Sequence, residues 1–298
     1  MDVAGWAVAV HGGAGAWRDE DEATACAGVS AAVSGAAAVL EGGGSALQAA
    51  IAAVVRLEDD PLFNAGTGAV LNRDGEAELD ASVMTGHDLR CGGVAALRGV
   101  RNPVLVAQRV MDATPHVLLA GEGALRFARD QGFAEHDPMT VRARAAWRLR
   151  CQGEAGAAPT TPGAGTVGAV TLDIQGRLAA ATSTGGVIMK LPGRVGDSPI
   201  PGAGNYANAW AACSATGRGE LMMRLLVARD LCDRVRAGQH PQAAVNSLLE
   251  EMRHDVGADA GFILLSARGA VGIAHGTPAM PHAWQNSGGP VHVAFRRP

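Results

Sequence analysis

The chain has 298 residues, 48% apolar and 18% charged, which excludes a disordered segment and leaves one large domain or two small ones. Its formal charge of −4, with Lys190 as the only lysine and no basic stripe, argues against a polyanion partner. Five cysteines (Cys26, Cys91, Cys151, Cys213, Cys232) form an odd set without a C-x-x-C pair, which argues against a disulfide framework or a zinc knuckle and for reduced thiols.

In chain order, Trp6 to His11 reads as a strand ending in the turn His11-Gly-Gly-Ala-Gly15. The apolar run before it is too short for a signal peptide, and Asp2 stands where a basic residue belongs. No segment is read as reaching the roughly 18 apolar residues that span a membrane, so a soluble, cytoplasmic protein is expected. Glu20 to Glu41 is an alanine-rich helix with acidic residues at its start, closed by Gly42-Gly43-Gly44. Ser45 caps a second helix to Leu57. A loop crowded with turn residues follows, Glu58 to Gly68. Ala69–Asn72 and Glu76–Ser82 read as a hairpin around Arg73-Asp74-Gly75, and Gly92–Leu97 as a strand. Helices are predicted at Pro103–Ala113, Leu118–Gln131 and Val141–Arg150. Cys151 to Gly165 then reads as a flexible linker.

Beyond the linker the strands resume. Val167–Asp173 and Arg177–Thr184 flank a Gln175-Gly176 turn, and Trp210–Ala215 is a third strand. Gly219–Ala237 and Pro241–Arg253 are helical in pattern, and Gly261–Ser266 with Ala270–His275 make a last hairpin. Hairpins dominate the strand connections, which predicts antiparallel sheets with helices outside, a layered α+β fold.

Thr166 stands where the linker runs into a core strand. A tether that feeds straight into a strand makes sense if the Gly165–Thr166 bond is cut. Cutting would give one residue both a hydroxyl and an α-amine, a nucleophile carrying its own base. On its own, Thr166 reads as a β-branched residue that starts a strand, and it is the rest of the chain that reverses this. Thr184 closes the neighbouring strand and falls near Thr166 across the sheet. Arg194 and Asp197 lie three apart in a glycine-proline loop; an arginine grips a carboxylate and an aspartate accepts from an ammonium, so the pair could clamp an α-amino acid or simply pair with each other on the surface. Thr216-Gly217 precedes a predicted helix, where N–H groups can stabilise an oxyanion or Thr216 can act as an ordinary cap. The pattern Gly163, Gly165, Gly168 matches a dinucleotide fingerprint, but a linker precedes it and a strand follows, which is the wrong context. There is no G-x-S-x-G, H-E-x-x-H or G-x-x-x-x-G-K-[ST] motif.

Taken together, the stretches His11–Gly15, Leu57–Gly68, Leu79–Met84, Arg101–Pro103, Thr114–Leu119, Gly165–Val170, Thr182–Gly186, Gly193–Ile200, Gly202–Gly204 and Thr216-Gly217 resemble the plant-type L-asparaginase/isoaspartyl peptidase group of N-terminal-nucleophile hydrolases over nearly the whole chain. The resemblance implies an αββα sandwich. It implies self-cleavage into an α subunit, 1–165, and a β subunit, 166–298, that assemble as an (αβ)2 heterotetramer. Hydrolysis of L-asparagine and β-aspartyl dipeptides through a β-aspartyl-enzyme is the implied activity. Carried over by position, Thr166 is the nucleophile and Thr184 its hydroxyl neighbour, and Asn64 approaches them. Thr216 and Gly217 form the oxyanion hole. Arg194 and Asp197 hold the substrate's α-carboxylate and α-amine, and Gly219 lines the pocket. No organic cofactor is implied, but a structural sodium ion is, held by main-chain carbonyls of Leu57, Glu58, Asp60, Phe63, Ala65 and Thr67.

Gly165 in place of an aspartate, and the lack of a signal peptide, count against the lysosomal-type glycosylasparaginases. A silent or slowly maturing precursor and a nucleotide-binding module are the remaining alternatives. Two departures from the family pattern stand out. Gln48 occupies a position where an acidic residue is usual, and Arg218 adds a positive charge beside the pocket.

Overall fold

The computed structural model describes residues 5–153 and 165–296. Most of the predicted linker, 154–164, and with it Gly163, lies outside the described residues. In chain order the strands are Ala7–His11 (β1), Leu79–Thr85 (β2), Cys91–Leu97 (β3), Leu118–Ala120 (β4), Val167–Leu172 (β5), Leu178–Thr184 (β6), Asn205–Ala207 (β7), Ala211–Gly217 (β8), Ala260–Ser266 (β9), Val271–His275 (β10), His282–Asn286 (β11) and His292–Ala294 (β12). The helices are Glu22–Glu41 (α1), Ala46–Asp59 (α2), Pro103–Ala113 (α3), Gly121–Asp130 (α4), Val141–Cys151 (α5), Gly219–Leu225 (α6), Val227–Arg236 (α7) and Pro241–Val256 (α8).

Two sheets result, ordered β12-β11-β1-β5-β6-β2-β3-β4 and β10-β9-β8-β7. All pairs are antiparallel except β3 with β4. Side chains alternate across each strand, and that alternation builds four layers. In β1, Val8 and Val10 face α1 and α2, while Ala7 and Ala9 face the second sheet. In β9, Phe262 and Leu264 face α7 and α8, while Ile263 and Leu265 meet the first sheet. The middle layer is rich in alanine (Ala7, Ala9, Ala180, Ala207, Ala212), which lets the sheets approach closely. This is the expected αββα sandwich.

Several expected elements come out differently. Ala69–Asn72 is not a strand: the Asn72 side chain accepts N–H bonds from Asp74 and Glu76, and this turn replaces the hairpin arm. Leu118–Ala120 leaves the predicted helix to pair alongside β3, and α4 starts only at Gly121. The single helix expected over Gly219–Ala237 breaks at Leu226, which is left-handed with φ 51°. Three short strands, β7, β11 and β12, are additional. The segment Asp19–Glu41 is, by length and composition, apolar enough to cross a membrane, contrary to the reading from sequence. Here it packs one side into the main core through Val29, Val33 and Leu40.

Candidate active site

The register of β5 and β6 sets Val167 opposite Ser183, so Thr166 and Thr184 meet at the same end of the sheet. Both side chains are buried and line one cavity of about 670 Å³. Gly165 just before is required for two reasons. Its φ is 123°, and a Cβ there would sit 2.7 Å from Cα of Gly13. The turn after β1 is thus pressed against the Gly165–Thr166 junction. The Thr166 hydroxyl lies 3.4 Å from the hydroxyl of Ser198. The Thr184 hydroxyl accepts instead from the Gly186 N–H at 3.0 Å. Asn64 anchors this turn: its amide donates to the Gly186 carbonyl, its side-chain oxygen takes the Val70 N–H, and its own carbonyl takes the Gly185 N–H.

The opposite wall carries Arg194, Asp197 and Gly219. A Cβ on Gly219 would lie 2.9 Å from Nη2 of Arg194 and 3.0 Å from Oδ1 of Asp197, so glycine leaves room for both heads to converge. Arg194 does not pair with Asp197. Its Nε and Nη2 both reach Oε1 of Glu220, at 3.0 and 2.9 Å. Asp197 is buried, with Oδ2 lacking a hydrogen-bond partner among the described residues. Burial pushes its carboxyl up to about 7, against the pull of Arg194. Oδ2 is closed off beside Gly204, whereas Oδ1 faces Gly219 and the cavity, where an ammonium group can reach the carboxylate.

Gly217 lines the cavity from the end of β8, whereas Thr216 sits behind it, fully buried. The Thr216 hydroxyl accepts the Ala14 N–H at 3.2 Å, so its proton remains available to a developing oxyanion. Deeper still, His11 Nε2 meets the Ser214 hydroxyl at 2.9 Å, which meets Thr182 Oγ1 at 2.7 Å. Burial drives the His11 imidazole down to about 3, and it stays neutral.

The loop expected to hold sodium begins inside α2, whose last turn contains Leu57 and Glu58. Gly66 and Gly68 both have positive φ. A Cβ at Gly68 would lie 2.7 Å from the carbonyl oxygens of Pro61 and Phe63, and one at Gly66 would lie 2.6 Å from that of Glu58. The loop therefore brings several main-chain oxygens, those of Glu58, Pro61 and Phe63, close to its glycines at the negative end of a helix, and such oxygens are the donor type a hard cation takes. The Pro61 carbonyl lies beside Gly68 and that of Arg101 beside Gly66, while the Glu58 and Asp60 carbonyls also accept the N–H groups of Thr67 and Phe63. The Glu58 side chain turns away, accepts the Val104 N–H at 3.0 Å, and is pushed by burial up to about 8.

Residues 4–294 match the asparaginase family. The chain belongs to that family. It is 43% identical over 297 residues to the plant-type L-asparaginase of Pyrococcus abyssi, covering 95% of this chain and 97% of that protein. It is 43% identical over 298 residues to the isoaspartyl peptidase of Salmonella typhimurium, covering 94% and 95%. An isoaspartyl peptidase/L-asparaginase of Xenopus laevis is 42% identical over 266 residues, covering 88% and 86%.

For this asparaginase-family chain, the structure brings Asn64, Gly165, Thr166, Thr184, Arg194, Asp197, Gly217 and Gly219 onto one cavity, with Thr216 just behind. Two neighbours of the site escaped the sequence reading. Ser198 follows Asp197 in the quoted loop, so its proximity to the clamp was a usable signal. Glu220 sits in the first turn of α6, and nothing local links it to Arg194.

Proposed function

We propose that this chain is a self-activating threonine amidohydrolase acting on L-asparagine and on β-aspartyl dipeptides. The observation that carries the reading is the junction: Gly165, admissible only as glycine, leads into a buried Thr166 that shares a cavity with Arg194 and the buried Asp197. The names of the relatives agree with it.

In maturation the Thr166 hydroxyl attacks the Gly165 carbonyl. The peptide C–N bond breaks as a C–O ester bond forms, and the Thr166 nitrogen takes up the proton. Water then hydrolyses the ester, leaving a Gly165 carboxylate and a free Thr166 amine. That amine has a reference pKa of about 7.7–8.0, so part of it is neutral at pH 7 and can accept the hydroxyl proton. The hydroxyl oxygen attacks the substrate's side-chain carbonyl, whose oxyanion rests on the Gly217 N–H and Thr216 hydroxyl. Collapse expels ammonia or an amino acid, which takes the proton from the Thr166 amine. Water then frees aspartate. Arg194 and Asp197 hold the aspartyl end throughout, and Arg194 exchanges Glu220 for the substrate carboxylate.

A sodium ion held by carbonyls of Leu57, Glu58, Asp60, Phe63, Ala65 and Thr67 belongs to the same proposal; it would supply order to the loop and no reaction step. The proposal also includes an (αβ)2 assembly and a cytoplasmic location, to which five free thiols are suited.

The test is intact mass under denaturing conditions beside Thr166→Ala, followed by product assays with L-asparagine and a β-aspartyl dipeptide. Two fragments parting between Gly165 and Thr166, with turnover in wild type only, are expected. A stable single chain, or a cut chain inert on both substrates, overturns the reading.

A further inference from the structure

The cavity of about 670 Å³ is much larger than asparagine needs, since pockets of about 300–1,000 Å³ accommodate drug-sized ligands. Arg194 and Asp197 occupy the aspartyl end. The remaining wall includes Ala14, Arg150, Arg218, Asp259 and Thr277. Most charges around it are already answered. Arg194 lies on Glu220, and Asp259 pairs with Arg253. Among the described residues the side chains of Arg150 and Arg218 make no hydrogen bond or ion pair; Arg218 is the more exposed of the two and feels the Glu220 carboxylate only through its field.

Arg218 also has a defined place. It lies between Gly217, which lines the cavity, and Gly219, whose Cα faces the clamp. Its own backbone is extended, with φ −78° and ψ 100°. Gly219 meets Arg194 and Asp197, while Arg218, one residue nearer Gly217, lines the same cavity. The leaving group, on the far side of the reacting carbonyl from the aspartyl end, falls in the rest of that cavity.

The two substrate classes differ only there. Asparagine presents an NH2 group on the reacting carbonyl. A β-aspartyl dipeptide presents an amino acid with a free α-carboxylate close to the scissile nitrogen. A guanidinium without a partner matches that carboxylate with two parallel hydrogen bonds.

We infer that Arg218 determines specificity on the leaving-group side by gripping the α-carboxylate of the departing amino acid, so that this chain prefers β-aspartyl dipeptides to L-asparagine. The inference rests on the amidohydrolase reading above. Arg218 exchanges no proton; the bonds broken and formed are those already given.

The experiment compares kcat/KM for β-aspartyl-alanine, its C-terminal amide and L-asparagine in wild type, Arg218→Ala, Arg218→Gln and Arg218→Lys. Charge-assisted hydrogen bonds of this kind correspond to a preference of about tenfold for the free acid over the amide. That ratio is expected in wild type, collapsing towards one in the alanine and glutamine variants and partly kept by lysine. It should also shrink in wild type at high ionic strength. An acid-to-amide ratio that the variants leave unchanged, or an equal loss on all three substrates, overturns the inference while leaving the amidohydrolase reading standing. A matured wild-type chain that hydrolyses none of the three overturns both.

Discussion

Asp197 shows most plainly what one residue of this site costs the fold. Burial raises its carboxyl from 3.8 to about 7. The folded chain therefore holds the proton longer than the unfolded chain. The stability this contributes is full below pH 3.8 and is lost as pH rises through about 7, where an unpartnered charge must be carried. Asp197→Asn cannot ionise, so it should unfold at a higher temperature than wild type at pH 8 and at nearly the same temperature below pH 3.8. Each kcal/mol gained corresponds to roughly 2–4 °C for a protein of this size. The same variant should lose the substrate's ammonium contact and with it most of kcat/KM. In wild type, kcat/KM should fall as pH drops through about 7, because a neutral Asp197 and a protonated Thr166 amine both oppose turnover. A variant no more stable than wild type at pH 8 would mean that a counter-charge already satisfies the carboxylate. Gly165 makes a second test at this scale. Gly165→Ala puts a Cβ 2.7 Å from the Gly13 backbone at φ 123°, so uncut precursor should accumulate on a denaturing gel while the fold is retained.

Among the elements, those with local causes were legible in the sequence. α2 begins where Ser45 predicts, in a capping box completed by Gln48, whose side-chain oxygen takes the Ser45 N–H at 2.8 Å. The unusual Gln48 is thereby accounted for, since the cap needs an oxygen acceptor and not a charge. β5 and β6 were legible for the same kind of reason, a tight Gln175-Gly176 turn between apolar runs. β4, β7 and β12 were not, because three residues are too few to show alternation, and β4 in addition exists only by pairing with distant chain, Gly93 with Leu118. The break at Leu226 was hidden by an unbroken helical pattern. At the site, Thr166, Arg194 and Asp197 could be named from motif order, but the Arg194–Glu220 pair depends on how α6 meets the Gly193–Ser198 loop. The carbonyl loop after α2 yields a prediction at this scale. The unfolding temperature should be higher in sodium chloride than in choline chloride of equal ionic strength, by about 1.4 kcal/mol of stability at sodium ten times its Kd. Equal midpoints in the two salts would remove the ion from the account of this loop.

At the scale of the whole molecule, a cut at Gly165 does not divide the fold. Within the first sheet the strands before the cut are β1, β2, β3 and β4, and those after it are β5, β6, β11 and β12. They are interleaved. β1 is flanked on both sides by strands from beyond the cut, β11 and β5, and β2 pairs with β6. The outer helices α1 and α2 precede the cut yet pack on β11, β5 and β6, through the same core as Val167, Ala169 and Ala181. Each fragment alone would expose open strand edges and an apolar face. The matured protein should therefore run as one species on native size exclusion and melt in a single transition, and its fragments should part only in denaturant. Cutting should also convert folding from a unimolecular to a bimolecular process. Refolding yield of the cut protein should then rise with concentration, whereas that of Thr166→Ala should not, because its strands stay tethered. Fragments that separate without denaturant would show that the interleaved sheet is not what holds the halves together.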